Sequence, residues 1–375
     1  MFYKNARIFC SDFQFRVGGF EVKDDRFGAV LPREVPEEAI DLQGATVIPG
    51  LVDVHIHGAA GSDFSDGDYE GLKKTAAFLA ADGITSFAPA SMTLPYGTLE
   101  KAFATARRLA EDAPVGHARL MGIHMEGPYF SEKKKGAQNG AYLKEPDFAG
   151  FKRLYDGCGG LIRIVDVAPE LPGAVEFVEK ASKLCTASVA HTDSDYKQAK
   201  EAFSRGATHL THLYNAMPPI HHREPGVIPA AAENPHVRAE IICDGLHIHP
   251  AAVRLAFAMF GMERMVLVSD ALRCCGMPNG EYELGGQKVS LSGGIARLAD
   301  GTIAGAATNL YDCMTNAIMF GIEEEAALRA STYNPACALG VQDKVGSIAT
   351  GKLADFIVCR SDYTGRRVFL GGKEI

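Results

Sequence analysis

Val47-Ile48-Pro49-Gly50-Leu51-Val52-Asp53-Val54-His55-Ile56-His57 is an apolar, strand-like run that ends in two imidazoles. In extended backbone, residues two apart point to the same side, so His55 and His57 face one point. Four more such runs end in a residue type that binds divalent metals. Glu126 follows 119–125, His191 follows 186–190, His212 follows 207–211 and Asp270 follows 265–269. Imidazoles and carboxylates are ligands of Zn²⁺, Fe²⁺ and similar ions. A lone His-x-His is usually incidental polarity, and a lone His is usually a satisfied core or surface residue. It is the shared placement at strand ends that makes these six a set. A parallel barrel brings all its strand ends to one face, so ligands spread from residue 55 to residue 270 can meet there.

The rest of the chain agrees with that scaffold. Eight strand candidates run over 47–54, 84–88, 119–125, 161–167, 186–190, 207–211, 238–243 and 265–269. Helical patterns at 69–81, 99–110, 174–183, 195–205 and 251–260 fall between them. Such alternation predicts parallel strands joined by helical crossovers, an α/β (β/α)₈ TIM-like barrel. A doubly wound open sheet is the competing fold, but it binds at a switch point and would not gather ligands from many strands. Residues 281–303 break the alternation with Gly-rich, strand-like segments, and Pro278-Asn279-Gly280 is a turn signal; a hairpin close to the site is expected there. Short strands at 3–9, 13–17 and 27–31, and again at 355–359 and 367–370, predict a small β-sandwich built from both termini. The division expected is 1–48 and 346–375 for the sandwich and 49–345 for the barrel.

Composition excludes several function classes. Of the 375 residues 47% are hydrophobic and 22% charged, ordinary for a globular protein, and the net charge of −8 opposes a nucleic-acid surface. No apolar run approaches the roughly 20 residues that span a bilayer, so no membrane partner is expected. Met1–Arg7 opens no long apolar segment, so no secretory signal is expected. Nine cysteines without Cys-x-x-Cys spacing suggest reduced thiols in a cytoplasmic protein.

Individual residues carry expectations of their own. Glu126 precedes Gly127-Pro128 and could be a loop carboxylate, yet an acid at the end of an apolar strand is costly to bury without a partner such as a metal. His124 is expected on the opposite side from Glu126, in a structural role. His209 is expected on the opposite pleat from His212, between barrel and helices. Asp270 could cap a following helix, but beside a metal-bound water it suits general acid/base work. Arg223, in the polar loop His221-His222-Arg223-Glu224-Pro225-Gly226, has the planar fork that suits phosphate. His247, in Asp244-Gly245-Leu246-His247, is expected to face the site and His249 is not.

The chain resembles the N-acetylglucosamine-6-phosphate deacetylases of the amidohydrolase superfamily. The segments that carry the resemblance are Pro49–Gly58, His124-Met125-Glu126-Gly127-Pro128, Lys135-Gly136-Ala137-Gln138, Ala190-His191-Thr192, Thr211-His212-Leu213-Tyr214-Asn215-Ala216-Met217, Arg223-Glu224-Pro225-Gly226, Asp244-Gly245-Leu246-His247 and Val268-Ser269-Asp270-Ala271. The Tyr-Asn-Ala-Met and Arg-Glu-Pro-Gly blocks are the specific ones; His-x-His marks only the superfamily. The resemblance implies removal of acetate from N-acetylglucosamine 6-phosphate, a small amino-sugar phosphate. It implies Glu126, His191 and His212 as metal ligands and Asp270 as general acid/base. It implies sugar-phosphate contacts from Asn215, Ala216 and His247, and further contacts to the sugar from Ala137, Ile303, Ala304 and Gly305. Arg223 is implied to reach the phosphate in a neighbouring subunit, hence a homodimer. Some members lack the His-x-His pair and hold one metal; with His55 and His57 present, one or two divalent cations per subunit are expected, zinc first and iron second. Gln138 stands where some members have a histidine near the acetyl carbonyl, and an amide N–H there can donate but carries no positive charge.

Three rivals remain. Deacetylation of another N-acetylhexosamine 6-phosphate, such as the galactosamine epimer, would use the same metal residues. A cyclic-amide hydrolase or deaminase would often carry a strand-end lysine where Glu126 stands. A catalytically dead barrel would be expected to lose Asp270 or a metal histidine.

Overall fold

The computed structural model describes residues 1–375, and in it the alternation becomes eight parallel strands around one axis. They are β1 (Leu51–Ile56), β2 (Ile84–Ser91), β3 (Ile123–Met125), β4 (Ile162–Val167), β5 (Thr186–Val189), β6 (Ala207–Leu210), β7 (Arg238–Ile242) and β8 (Met265–Val268). Each pairs in parallel with the next. Between β8 and β1 the ring closes just beyond the strands. Asp270 N–H donates to His55 O and His57 N–H to Ala271 O, both at 2.9 Å. Ser269 Oγ–H donates to the buried Asp53 Oδ2 at 2.5 Å. The chain ends that carry His55, His57 and Asp270 therefore lie side by side.

Local sequence sets the crossovers. Asp68 accepts from the Glu70 and Gly71 N–H groups at the start of helix Tyr69–Ala81, and Asp195 with Gln198 forms a reciprocal cap on helix Tyr196–Ser204. The inward face of Tyr69–Ala81 buries Leu72, Ala76, Leu79 and Ala80. Val52, Ile164, Ile242, Val266 and Val268 meet Leu339, Val341 and Val345 in one apolar cluster. Asn334 Nδ2–H donates to Met265 O at 2.7 Å and Thr186 Oγ1–H to Ala338 O at 2.8 Å, so this segment meets the first residues of β8 and β5. It closes the end of the barrel away from the candidate ligands.

The run at 47–54, expected as one strand, is two. Thr46–Pro49 pairs with Phe356–Cys359, with Ile48 opposite Ile357, while Leu51–Ile56 belongs to the barrel. The switch falls at Gly50, where a Cβ would meet Thr85 Oγ1 at 2.1 Å. Sequence periodicity cannot register a change of sheet between two equally apolar halves. The termini form a separate, mostly antiparallel sheet of eight strands. It folds so that Phe20 and Phe27 from one end meet Phe356 from the other, with ring centroids 5.2 and 5.9 Å apart, the sandwich expected from the two termini. The expected hairpin is larger than predicted: Gly280–Leu284, Gln287–Ser292, Ile295–Leu298 and Ile303–Ala306 make a four-stranded antiparallel meander.

Candidate metal centre

Five side chains converge on Glu126 at the open end of the barrel. His191 Nε2 lies 3.1 Å and His212 Nε2 3.3 Å from Glu126 Oε1. On the other side His57 Nε2 stands 3.3 Å from Glu126 Oε2 and 3.3 Å from Asp270 Oδ1. His55 Nε2 lies 3.6 Å from both Glu126 Oε1 and Asp270 Oδ1. All are buried; Asp270, the least so, is 8% exposed. Two groups of three ligand atoms result, Glu126–His191–His212 and His55–His57–Glu126, sharing the carboxylate.

Backbone strain aims several of these groups. His191, His212 and Asp270 follow the ends of β5, β6 and β8 and adopt φ of 43°, 32° and 48°. Left-handed backbone in a non-glycine residue costs on the order of 1–3 kcal/mol and persists where the surroundings over-determine it. It also explains His209 and His212. Three residues apart, they would alternate on a regular strand, yet both side chains lie inside the barrel, because the left-handed residue breaks the period of two. His209 was expected between barrel and helices; instead its Nε2–H donates to Glu240 Oε1 at 3.0 Å in the interior. His124 was expected on the opposite side from Glu126. Residues two apart share a face, and His124 lies directly beneath, donating from Nδ1 to Val54 O at 3.0 Å and from Nε2 to Asp166 Oδ1 at 3.1 Å. Burial opposes its charge, but Asp166 and Glu240 outweigh burial and raise its pKa to about 9.

The donor set fits a divalent cation. His57 Nδ1–H donates to Ala90 O at 3.1 Å and His191 Nδ1–H to Lys134 O at 2.9 Å. Both rings therefore turn an Nε2 lone pair toward carboxylate oxygens, an arrangement that asks for a cation between them. His55 Nε2 is buried with no hydrogen-bond partner at all. Burial pushes the Glu126 carboxyl up, but the imidazoles of His191, His212, His57 and His55 packed around it hold it well below the usual range. Burial likewise raises Asp270, and His57 and His55 bring it below its ordinary value. Burial opposes charge on His212, yet Glu126 first and then Asp270 and Glu240 raise it to about 9. The two buried carboxylates thus stay ionised and draw positive charge to the pocket.

A cavity of about 170 Å³ opens above these atoms. His57, Glu126, Ala137, Gln138, His191, His212, Asn215, Ala216, His247, Asp270, Ile303, Ala304 and Gly305 line it, with Met92, Gly136 and Thr302. His55 sits just below. The meander supplies Thr302–Gly305 as one wall and is tied to the facing loop by Gln287 Nε2–H, which donates to Ala137 O at 2.6 Å. His247 Nδ1–H donates to Asp244 Oδ2 at 2.6 Å, leaving Nε2 for the cavity. Gln138 is held at both ends: Thr93 N–H donates to its Oε1 and its Nε2–H donates to Glu126 Oε2, each at 2.7 Å. One amide hydrogen remains for a ligand. Arg223 does not join this cavity. It is exposed, in a separate depression with Asp193, Asp195 and Lys197, and its guanidinium touches His222 at 2.7 Å.

Sequence reading missed the layer beneath the candidate ligands: Asp53 with Ser269, His124 with Asp166, and Glu240 with His55 and His209. A charged residue within an apolar strand, such as Glu240 in Arg238–Ile242, was the available signal, since an acid there must be paired.

Comparison with known proteins agrees with this geometry. The chain is 37% identical over 336 residues to an N-acetylglucosamine-6-phosphate deacetylase of Bacillus subtilis (strain 168), covering 88% of this chain and 85% of that protein. It is 31% identical over 356 residues to an N-acetylgalactosamine-6-phosphate deacetylase of Escherichia coli O157:H7, covering 94% and 93%. A mutant N-acetyl-D-glucosamine-6-phosphate deacetylase from Mycobacterium smegmatis, solved in complex with N-acetyl-D-glucosamine-6-phosphate, superposes with a TM-score of 0.93 at 32% identity, over 100% of this chain and 98% of that one. The family model described as "Amidohydrolase family" matches residues 46–375, all of the barrel and the strand ends that carry the candidate ligands. On that match and that barrel, the chain belongs to the amidohydrolase family.

Proposed function

We propose that this protein is an N-acetylglucosamine-6-phosphate deacetylase, hydrolysing the acetamide of N-acetyl-D-glucosamine 6-phosphate to D-glucosamine 6-phosphate and acetate. The observation that carries the reading is Asp270, buried at the mouth with Oδ1 3.3 Å from His57 Nε2, beside a carboxylate shared by two ligand clusters. A relative of that name at 37% identity supports the substrate.

Glu126, His191 and His212 would hold one divalent cation, and His55 and His57 with Glu126 a second. Bound there, such a cation lowers the pKa of a water and polarises a carbonyl. Asp270 accepts the water's proton as the new C–O bond forms. The carbonyl oxygen gains charge, and the free amide hydrogen of Gln138 donates to it. Asp270 then returns the proton to the amine nitrogen as the C–N bond breaks. His247 and Asn215 orient the sugar, Ala216 and Ala137 lie along it, and Ile303, Ala304 and Gly305 confine it.

Further proposals complete the reading. Zinc is the metal, with iron the alternative. Arg223 binds the phosphate of the substrate held by a second copy, so the enzyme is a homodimer; its distance from its own cavity favours this. The chain works in the cytoplasm, where thiols such as its nine free cysteines stay reduced. The working unit is the barrel at 49–345 with the sandwich at 1–48 and 346–375. The test is acetate release from the two epimers by the metal-loaded and the chelator-treated enzyme. Faster turnover of the glucosamine epimer, abolished by chelation and restored by Zn²⁺, is expected. Faster turnover of the galactosamine epimer would favour the activity named for the relative in E. coli O157:H7.

A further inference from the structure

Glu240 stands in the middle of β7, fully buried, with its side chain inside the barrel. A carboxylate with no exposure is costly unless its oxygens are filled. Both are. His55 Nδ1–H donates to Oε2 at 2.9 Å, and the His212 backbone N–H reaches the same oxygen at 3.2 Å. His209 Nε2–H donates to Oε1 at 3.0 Å, and His124 Nδ1 lies 3.8 Å from that oxygen.

The consequence for His55 follows from the donor chemistry. An ionised carboxylate only accepts, so the hydrogen of His55 sits on Nδ1 and the lone pair on Nε2. Nε2 is the buried atom without a partner, aimed between Glu126 and Asp270. His57 and His191 have their tautomers set by main-chain carbonyls, Ala90 O and Lys134 O. Among these rings only His55 is oriented by a carboxylate, the stronger acceptor. Glu240 also holds the amide of His212, whose left-handed backbone turns that ring to the other ligand cluster. No other carboxylate outside the cavity touches both clusters.

We propose that Glu240 is a positioning residue: it holds His55 in the tautomer and orientation that a metal ligand needs and braces the backbone of His212, so that cation binding at His55–His57–Glu126 depends on a side chain that meets neither cation nor substrate. The inference rests on the metal-centre reading above.

The test measures metal, not activity. Wild type, Glu240→Leu, Glu240→Gln, His55→Ala and Asp166→Asn are stripped, reloaded with Zn²⁺ or Co²⁺ and dialysed. Metal per chain, affinity by chelator competition, the Co²⁺ visible spectrum and the melting temperature of the metal-free chain are then recorded. Glu240→Leu removes the acceptor at similar volume. It should lose the same one equivalent as His55→Ala, and the double variant should lose no more. Glu240→Gln keeps an oxygen for His55 and His212 and turns its amide to His209, so it should keep the stoichiometry while that cation binds about 10–100-fold more weakly. Asp166→Asn perturbs a carboxylate at similar depth that bonds His124 and Thr211 but no candidate ligand, and it should lower melting without altering metal content or spectrum.

Metal content and affinity at wild-type level in both Glu240 variants would overturn the proposal. So would equal losses in Asp166→Asn, which would mark a general structural defect. If Glu240→Leu does not fold, Glu240→Gln decides alone, and wild-type affinity there overturns it. A wild-type chain whose metal is indifferent to His55→Ala overturns the ligand reading itself, and this inference with it.

Discussion

Replacing Asp270 with Asn separates proton transfer from everything else that residue does. Its backbone is left-handed, with φ of 48°, and its N–H donates to His55 O at 2.9 Å where β8 meets β1. Asn tolerates that conformation as readily as Asp, so the closure of the barrel survives. The side-chain amide keeps the shape and one oxygen toward His57, now 3.3 Å from Oδ1. Fold, metal content and KM should therefore change little. The amide nitrogen has no basic lone pair, so the route for the water's proton is lost. General acid/base groups contribute about 10²–10⁴-fold, or about 2.7–5.4 kcal/mol at 1.36 kcal/mol per tenfold. The loss should appear in kcat and in kcat/KM alike, as for an interaction made only in the transition state. Acetate release is followed under saturating and limiting substrate, with metal content measured on the same preparation. Turnover within about threefold of wild type, with metal retained, would refute the role, since the smallest loss expected is about a hundredfold. Loss of metal in parallel with activity would instead make Asp270 a ligand and not a base.

Other expectations follow from particular contacts. His191→Ala opens the Glu126–His191–His212 group and should remove the cation there with all activity, whereas His55→Ala should leave at least one cation; full metal content in His191→Ala by elemental analysis would sink that ligand set. Arg223→Ala should cut kcat/KM for the phosphorylated sugar strongly while barely altering the slow hydrolysis of unphosphorylated N-acetylglucosamine. Mixing Arg223→Ala with Asp270→Asn should restore about half the wild-type activity per mixed dimer, since one site then carries both defects and the other none; heterodimers that form without regaining activity would refute a shared site. Phe356→Ala empties the centre of the terminal aromatic cluster, where Phe369 stacks at 4.4 Å and Phe20 meets it edge-on at 5.2 Å. A loss of about 3–5 kcal/mol is expected for so large a buried ring, and denaturant unfolding showing less than about 1 kcal/mol, below that range, would deny the cluster its role as a packed core.

Much of this protein was legible in its residue order, because barrels repeat. Each strand–helix unit writes the same apolar period, and each strand end in a barrel faces the same way, so His55, His57, Glu126, His191, His212 and Asp270 could be grouped before any distance was known. Two local periods were misjudged. His124 shares a face with Glu126 by the same rule of two that paired His55 with His57, and His209 escapes that rule because His212 is left-handed, a backbone state that histidine's identity does not announce. The split at Gly50 was equally hidden, since both halves of that run are apolar and only the partners differ: Phe356–Cys359 on one side, Ile84–Ser91 on the other.

By itself the sequence determined the barrel, the ligand types, the acid/base candidate and the turn chemistry around them, all of which depend on local period and on what each side chain can bond. Tertiary structure alone decided which acceptor each histidine meets, that Glu240 joins His55 to His209 across three strands, that Gln138 is clamped between Thr93 and Glu126, and that Arg223 lies apart from its own cavity. These are contacts between residues far apart in the chain, from 12 positions for Gln138 and Glu126 to 185 for His55 and Glu240. Hydrogen bonds depend on angstrom-scale distance and direction, and only the closed barrel sets those.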